Sequence, residues 1–270
     1  MNAGPGSAPG SPPEAKHVTS RDNPLIKDLR KLSQDSTAYR KQGRVWLEGD
    51  HLCRAALARG LKPALAVFAE SYWSTAPAEW ARAAGKSIVV SDALLPDISG
   101  LESPARMGFV LDLPVAAGLR PDAASVILDR VQDAGNVGSI LRSAAAFGFS
   151  QVIALKGTAA LWSPKVLRAG MGAHFALQLV EGLEPAGLAV LTVPIVVTSS
   201  HHGSSLHQQK LPMPCAWAMG HEGQGVSHDL MAKAALKVRI EQPGGEESLN
   251  VAAAAAICLY ASSLATSPGP

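Results

Sequence analysis

The chain has 270 residues, of which 47% are hydrophobic and 17% are charged, so it can bury the core of one large domain or of two smaller ones. Its formal net charge of +2 is unevenly spread, because residues 16–62 hold eleven Lys and Arg against five Asp and Glu. Such a segment is typical of a surface that binds a polyanion, although a solvated helical face would explain it equally well. The three widely spaced cysteines argue against a disulfide framework and indicate a reducing, cytoplasmic compartment.

Both ends of the chain have the composition of disordered tails. Residues 1–16 start rich in Gly, Pro, Ser and Ala, with neither the basic start nor the apolar centre of a signal peptide. Residues 266–270 are predicted to be a frayed end. The most apolar stretch, residues 251–261, is too short and too rich in Ala to span a bilayer. We therefore expect a soluble protein without a membrane partner.

Residues 17–113 are predicted to form a small α/β unit. Its first helix follows Asn23, with Leu25, Ile26, Leu29 and Leu32 on one face and basic residues on the other. Residues 114–123, which are rich in Pro, Gly and Ala, are the predicted linker that follows. Further strands are predicted at residues 44–48, 64–68, 87–90 and 107–113, and further helices at residues 51–59 and 78–84.

Residues 124–265 are predicted to form a second domain in which strands and helices alternate. Apolar strands of about five residues alternating with helices indicate a mostly parallel sheet that is covered on both faces. The predicted strands are residues 125–129, 151–155, 195–199, 215–219 and 236–240, and the predicted helices are residues 137–147, 164–169, 228–234 and 249–264.

Three short polar segments interrupt this apolar domain, at residues 133–142, 219–227 and 246–251. Each lies where a strand-like run meets a helix-like run, which is where α/β folds bind ligands. We therefore expect one assembled site. The chain lacks the P-loop, the dinucleotide glycine fingerprint and the nucleophile elbow.

Three histidines cluster near residue 205, but no Cys or Glu stands at ligand spacing from them. For His201, His202 and His207 a surface loop is therefore favoured over a metal site.

Taken singly, each polar segment has an ordinary structural explanation. Asn136, which follows a glycine, can turn the chain out of a strand and cap a helix. Arg142 can clamp a phosphate or simply lie on the surface, and Glu222 can belong to an ordinary glycine-rich turn. Ser248 is a good N-cap for the last helix, which leaves Asn250 unexplained in the first turn of an otherwise apolar helix.

In their order and spacing, the three segments resemble the three motifs of the SpoU family of RNA ribose methyltransferases, within the SPOUT superfamily. Residues 136–142 are similar to the first motif, residues 219–227 to the second, and Ile240 with residues 248–251 to the third. Residues 19–26 and 47–51 are similar to the substrate-binding domain that often precedes such enzymes. The resemblance implies a parallel sheet with a C-terminal trefoil knot, a smaller L30e-like α/β domain, and a homodimer formed through the knotted domain.

The resemblance also implies transfer of a methyl group from S-adenosylmethionine to a ribose 2′-hydroxyl of RNA, with rRNA favoured over tRNA and without a metal. Arg142 is then the catalytic residue, which we interpret as stabilising the developing alkoxide. The nucleotide or the motif loops are positioned by Asn136, Glu222, Ser248 and Asn250. The cofactor is held, mainly by backbone groups, at Thr198, Gly220, Ile240 and Leu249. The predicted RNA contacts of the basic N-terminal unit are Arg21, Lys27, Arg30, Lys31, Arg40, Lys41 and Arg44.

The chain departs from the family pattern in three places. His221 stands where Asn is usual, Glu241 stands where Pro usually follows the Ile, and residues 252–256 are all Ala where many members mix Ser and Ala. We interpret these differences as substrate or packing variation. The alternatives that stay open are a non-catalytic RNA-binding protein of the same fold, a tRNA ribose methyltransferase, and a base methyltransferase from another SPOUT branch.

Overall fold

The computed structural model describes residues 15–113, 118–199, 203–244 and 248–264. The chain divides into two compact units, one ending at Leu113 and the other starting at Pro114. Residues 114–117 of the predicted linker lie outside the described residues, as do residues 1–14 and 266–270 of the predicted tails. Lys16, which the sequence placed in the first tail, instead begins a strand.

The first unit contains a five-stranded mixed sheet in the order β1-β4-β3-β5-β2. The first three of these strands are parallel, whereas β5 runs antiparallel to both of its neighbours. The strands are β1 (Lys16–Val18), β2 (Arg44–Glu48), β3 (Leu65–Ala69), β4 (Ser87–Val90) and β5 (Met107–Asp112). The helices are α1 (Pro24–Gln34), α2 (Ala38–Gln42), α3 (Asp50–Ala58), α4 (Glu70–Trp73) and α5 (Ala78–Ala83).

Helix α1 shows how local sequence sets these elements. The Asn23 side chain accepts the Leu25 amide at 3.0 Å, and a proline occupies the first helical position, where its missing N–H costs nothing. Ile26 and Leu29 are buried, as predicted, while Leu25 is only half-buried. The sequence missed β1 because three residues are too few to show alternation, and it missed α2 and α4 because five and four residues are too few to show the 3.6-residue period of a helix.

The second unit contains a seven-stranded sheet in the order β10-β12-β9-β11-β6-β7-β8, in which every pairing is parallel. The predicted strands are found within one residue at each end, but the edge strands β8 and β10 were not predicted. The strands are β6 (Ser125–Asp129), β7 (Gln151–Leu155), β8 (Gln178–Leu183), β9 (Ile195–Thr198), β10 (Ser204–Ser205), β11 (Ala216–Gly220) and β12 (Leu236–Arg239). The helices are α6 (Ala134–Ala146), α7 (Pro164–Gly170), α8 (His228–Lys233) and α9 (Val251–Leu264).

Helices cover both faces of this sheet, as the sequence predicted. Alternate residues of β6 point to opposite sides, so that Val126 and Leu128 join a core with α6, α7 and α9. Ile127 joins a second core that contains Leu230 of α8. Within the described ranges, no helix is both long and apolar enough to cross a membrane. The three cysteines are free and buried.

Candidate cofactor and catalytic site

A cavity of about 770 Å³ lies at the carboxyl ends of the central strands in the second unit. Thr198 and Gly220 are the last residues of β9 and β11, and Ile240 directly follows β12. Together with Leu249, which lies just before α9, they line the cavity. The fold therefore brings together all four residues predicted to bind the cofactor, and their role as ligands stays a prediction.

The loop after β11 closes tightly on itself beside this cavity. The amide of His221 donates to the Gly225 carbonyl at 3.0 Å, and the Gly225 amide donates back to the His221 carbonyl at 2.8 Å. A Cβ added to Gly220 would lie only 2.1 Å from the Gly225 carbonyl carbon and from the Val226 nitrogen. Only glycine therefore permits this close approach of backbone to backbone.

His221 stabilises the same loop with its side chain. Its Nδ1 accepts the amides of Gly223 at 3.0 Å and of Gln224 at 3.3 Å. The side-chain oxygen of Asn, the usual residue here in the resembled family, can accept amides in the same way. The departure at His221 thus keeps the ability to accept loop amides.

A hydrogen-bond network joins the three polar segments. Glu222 accepts the Gln132 amide at 3.3 Å, the Asp133 amide at 3.1 Å and the Asn136 side-chain amide at 3.1 Å. The Asn250 side-chain amide donates to Asn136 Oδ1 at 3.0 Å. Three side chains that the sequence grouped in one site are therefore in direct contact.

The caps of two helices differ from the sequence prediction. Asn136 does not cap α6, because the helix begins at Ala134 and Asp133 accepts the Asn136 amide at 2.7 Å. Ser248 does not cap α9, because Asn250 Oδ1 accepts the amides of the second and third helical residues at 2.9 and 3.3 Å. Asn250 thus both starts the last helix and donates to the network, which explains its position. Ser248 is exposed and lines the cavity.

Arg142 lies on α6, six residues beyond Asn136, and its side chain is exposed. Within the described part of the chain, no hydrogen bond or ion pair holds its guanidinium. The fold therefore gathers Asn136, Glu222 and Asn250 in one network and leaves Arg142 outside it.

The sequence reasoning missed a second group that holds the glycine-rich loop. Asp129, at the end of β6, is 2% exposed and accepts the Ser227 amide at 2.6 Å and Arg130 Nε at 3.0 Å. Arg130 has a φ of +61° and donates from Nη1 to Gln224 Oε1 at 2.8 Å. A non-glycine residue in this backbone region is uncommon and often marks a functional position. The sequence feature that could have indicated this group is the Asp129-Arg130 pair at the carboxyl end of a central strand.

The carboxylate of Glu222 gives the site a dependence on pH. Partial burial alone would raise its pKa, but hydrogen bonds from the Asp133 amide, its own amide, Asn136 and the Gln132 amide together hold the pKa below its ordinary value. Because the folded-state pKa is lowered, the ionised group contributes stability above the ordinary pKa, and this contribution is lost as pH falls through the folded-state pKa.

We expect Glu222→Gln to be less stable than the unchanged chain at pH 7, and the difference in free energy of unfolding to shrink below about pH 4.5. Urea denaturation at a series of pH values would measure this difference. Glu102→Gln is the matched control, since that glutamate is exposed and forms no hydrogen bond or ion pair with any described residue. The expectation would be contradicted if the free energies of unfolding of Glu222→Gln and of the unchanged chain differed by the same amount at every pH down to 3.

The described residues contain no group of three or more His, Cys, Asp and Glu side chains that could hold a metal ion. The Nδ1 atom of His207 lies 2.7 Å from Ser205 Oγ, within hydrogen-bond distance. His201 and His202, the other two members of the cluster seen in the sequence, lie outside the described residues.

The seven cations predicted to bind RNA belong to the first unit and lie in or near α1, α2 and β2. Lys31 and Lys41 are exposed, and neither forms an ion pair with any residue that the structure describes. Arg40 lies over the Tyr39 ring at 5.5 Å. The other four pair with carboxylates that a phosphate would have to displace: Arg21 and Arg30 with Asp97, Lys27 with Asp22, and Arg44 with Asp112.

Comparison with known families and relatives agrees with this geometry. The family described as SpoU rRNA Methylase matches residues 123–260, and the MRM3-like substrate binding domain matches residues 23–107. The chain is 31% identical to an uncharacterized tRNA/rRNA methyltransferase of Synechocystis sp., over 90% of this chain and 92% of that protein. It is 30% identical to the 23S rRNA (guanosine(2553)-2′-O)-methyltransferase RlmP of Bacillus subtilis, over 91% of this chain and 98% of that protein.

Among solved structures, the chain is similar to an AdoMet-bound rRNA methyltransferase from Sinorhizobium meliloti. The TM-score is 0.80 with 27% sequence identity, and the match covers 94% of this chain and 99% of that one. The likeness therefore extends over both units and includes a relative that was solved with its cofactor.

Proposed function

Because the chain belongs to the SpoU rRNA methylase family, we propose that it transfers the methyl group of S-adenosylmethionine to a ribose 2′-hydroxyl of ribosomal RNA. The main support for this proposal is the cavity at the carboxyl ends of the strands. Glu222 lines this cavity and also belongs to the hydrogen-bond network with Asn136 and Asn250. RlmP, which aligns over nearly its whole length, is named for 2′-O-methylation of 23S rRNA, and this supports both the reaction and the substrate class.

The residues around the cavity suit S-adenosylmethionine. Its volume falls within the range of roughly 300–1,000 Å³ that is usual for small-molecule sites. Ile240 and Leu249 offer apolar contact, whereas Gly220 and Thr198 present backbone and hydroxyl groups for hydrogen bonding. When bound there, the cofactor supplies a methyl group on a positively charged sulfur. The four residues would hold it mainly through the shape and backbone of their loops.

The proposed catalytic step depends on Arg142. A ribose hydroxyl is a poor nucleophile while protonated, so the developing negative charge on its oxygen must be stabilised. Arginine stays charged at any physiological pH, and the guanidinium of Arg142 has no carboxylate partner among the described residues. It is therefore free to stabilise the alkoxide electrostatically. Asn136, Glu222, Ser248 and Asn250 then position the nucleotide and the loops, and alignment of the two reactants contributes further acceleration.

We also propose that the enzyme is a homodimer that pairs through the second unit. Helix α9 leaves Ile257, Tyr260 and Leu264 exposed at 40%, 53% and 56%, at a spacing that places them on one helical face. A second copy of the chain would cover this face. Sedimentation should then give a dimer for the unchanged chain and a monomer for Tyr260→Asp, whereas a monomeric unchanged chain would exclude the proposal.

A trefoil knot in the C-terminal part is likewise a proposal. It is supported by the sheet order, in which β9 lies between β12 and β11, and by the return of α9 to pack beside β11 and α6. For the first unit, an L30e-like fold is supported by its mixed sheet with flanking helices and by the match to a substrate binding domain.

The direct test is incubation of the protein with S-adenosylmethionine and unmodified rRNA, followed by nuclease digestion and mass spectrometry. A 2′-O-methylated nucleoside is expected. A methylated base would instead assign the protein to another branch of the superfamily. Mapping 2′-O-methyl positions in cells with and without the gene would identify the nucleotide.

Lys31 of α1 and Lys41 of α2, which form no ion pair with any described residue, should contribute directly to RNA binding. We expect the double variant Lys31→Gln with Lys41→Gln to weaken rRNA binding and to lower the slope of log affinity against log salt by about 0.7–0.9 for each phosphate contact that is lost. Filter binding at several salt concentrations would measure both effects.

A matched control for this experiment is Arg59→Gln with Lys62→Gln, which removes two exposed cations that lie outside α1 and α2. Equal losses in both double variants would show that only overall charge matters, and an unchanged slope in the first would remove Lys31 and Lys41 from the RNA contact.

A further inference from the structure

Gln242 is a polar residue of the cavity wall. It belongs neither to the motif residues of the SpoU family named above nor to the Glu222–Asn136–Asn250 network, so it has no role so far. It lines the cavity two residues beyond Ile240. Its side-chain oxygen is buried and has no hydrogen-bond partner within the described structure. An unsatisfied buried amide oxygen is costly, and such atoms are rare enough in folded proteins to require an explanation.

The backbone holds Gln242 toward the cavity. Between Arg239 and Pro243, the chain alternates in exposure, with Ile240 and Gln242 half-buried against the cavity and the other residues exposed. This is the period of an extended chain, and the proline after Gln242 restricts that residue to extended conformations. Glu241 is not among the residues that line the cavity; its carboxylate lies 3.8 Å from His207 Nδ1 and 3.9 Å from Arg239. Its substitution for the family's usual proline therefore leaves the cavity wall intact.

We propose that Gln242 recognises the cofactor, its side-chain oxygen accepting a hydrogen bond from an N–H group of bound S-adenosylmethionine. The ligand's identity rests on the function proposed above. The cofactor carries N–H donors at two ends, the adenine amino group and the α-ammonium group, and rotation of the Gln242 side chain toward the cavity would present the orphaned oxygen to one of them. When Gln242 is replaced by an apolar side chain of similar length, the unliganded protein no longer has an unsatisfied buried oxygen and should be more stable. The liganded protein loses one hydrogen bond to the cofactor and should bind it more weakly.

The test is calorimetric titration of the full chain and of Gln242→Met with S-adenosylmethionine and S-adenosylhomocysteine. We expect Gln242→Met to bind both about tenfold more weakly, and to unfold at an equal or higher temperature when unliganded. Glu241→Met is the control in the same segment, and its affinity should stay within about twofold of the unchanged chain because its side chain is exposed.

Two analogues of S-adenosylhomocysteine identify the donor. One replaces adenine by unsubstituted purine, which lacks the amino group and adds no other N–H donor, and the other lacks the α-ammonium group. The tenfold effect of Gln242→Met should vanish for the analogue that lacks the donor. Persistence of the full effect with both analogues would overturn the proposal, as would unchanged affinity in Gln242→Met.

If the unchanged chain itself bound no S-adenosylmethionine, the proposed function would fail before Gln242 was tested. The titration of the unchanged chain thus separates the two proposals.

Discussion

Arg142→Ala is expected to lower the rate of RNA methylation by on the order of 100-fold to 1,000-fold, the usual loss when one stabilising donor of a developing anion is removed. Thermal stability and cofactor affinity should change little. The side chain is exposed and has no partner within the described residues, so its truncation leaves neither a cavity nor an unpaired buried group. Single-turnover kinetics with saturating S-adenosylmethionine, alongside calorimetry, would separate the chemical step from cofactor binding.

Two further variants sharpen this experiment. Arg142→Lys keeps the charge but loses the planar guanidinium, so partial activity would indicate that charge dominates over geometry. Lys165→Ala removes an exposed cation from the neighbouring helix α7 and controls for a general loss of positive charge. Full turnover by Arg142→Ala would remove this residue from the catalytic step.

Gly220→Ala is expected to weaken binding of S-adenosylmethionine by about tenfold or more, since a shifted loop would lose one or two hydrogen bonds to the cofactor, each worth about 1 kcal/mol. The new methyl group would lie 2.1 Å from backbone atoms of Gly225 and Val226, and backbone cannot move aside as a flexible side chain can. The loop from His221 to Gly225 must therefore shift. Overpacking of this kind also costs about 1–3 kcal/mol of stability, which urea denaturation would detect.

Gly223→Ala is the matched control within the same loop. A Cβ at Gly223 would approach the His221 ring no closer than 3.8 Å, which is an ordinary contact. We expect its cofactor affinity to stay within a few-fold of the unchanged chain, as measured by calorimetry. If Gly220→Ala bound the cofactor as tightly as Gly223→Ala, the shape of this loop would not matter for cofactor binding.

The sheet of the second unit could be predicted largely because its inner strands are buried on both faces. Such strands read as continuous apolar runs, as in Ser125–Asp129 and Gln151–Leu155. The edge strand Gln178–Leu183 was missed because its residues are only half-buried or exposed and polar residues and a glycine interrupt it. The two-residue strand Ser204–Ser205 is too short for any pattern.

The grouping of three polar side chains could be predicted from the sequence, whereas their individual contacts could not. Motif order indicated that Asn136, Glu222 and Asn250 belong together, but not which side chain caps which helix. The cap at Asn250 instead of Ser248 depends on where α9 begins, and boundaries are the least certain part of a sequence prediction. The Arg130 link to Gln224 joins residues 94 positions apart and has no local signature.

The hydrogen bonds that join the three polar segments also determine when this site can form while the chain is being synthesised. Asn136 is separated from Glu222 by 86 positions and from Asn250 by 114. Contacts between residues so distant in sequence form slowly, and domains tend to fold in order as they emerge from the ribosome. The first unit is synthesised well before Asn250, so the residues proposed to contact RNA are in place before the network beside the proposed cofactor cavity can form. Competence for methylation thus arrives only with the last helix.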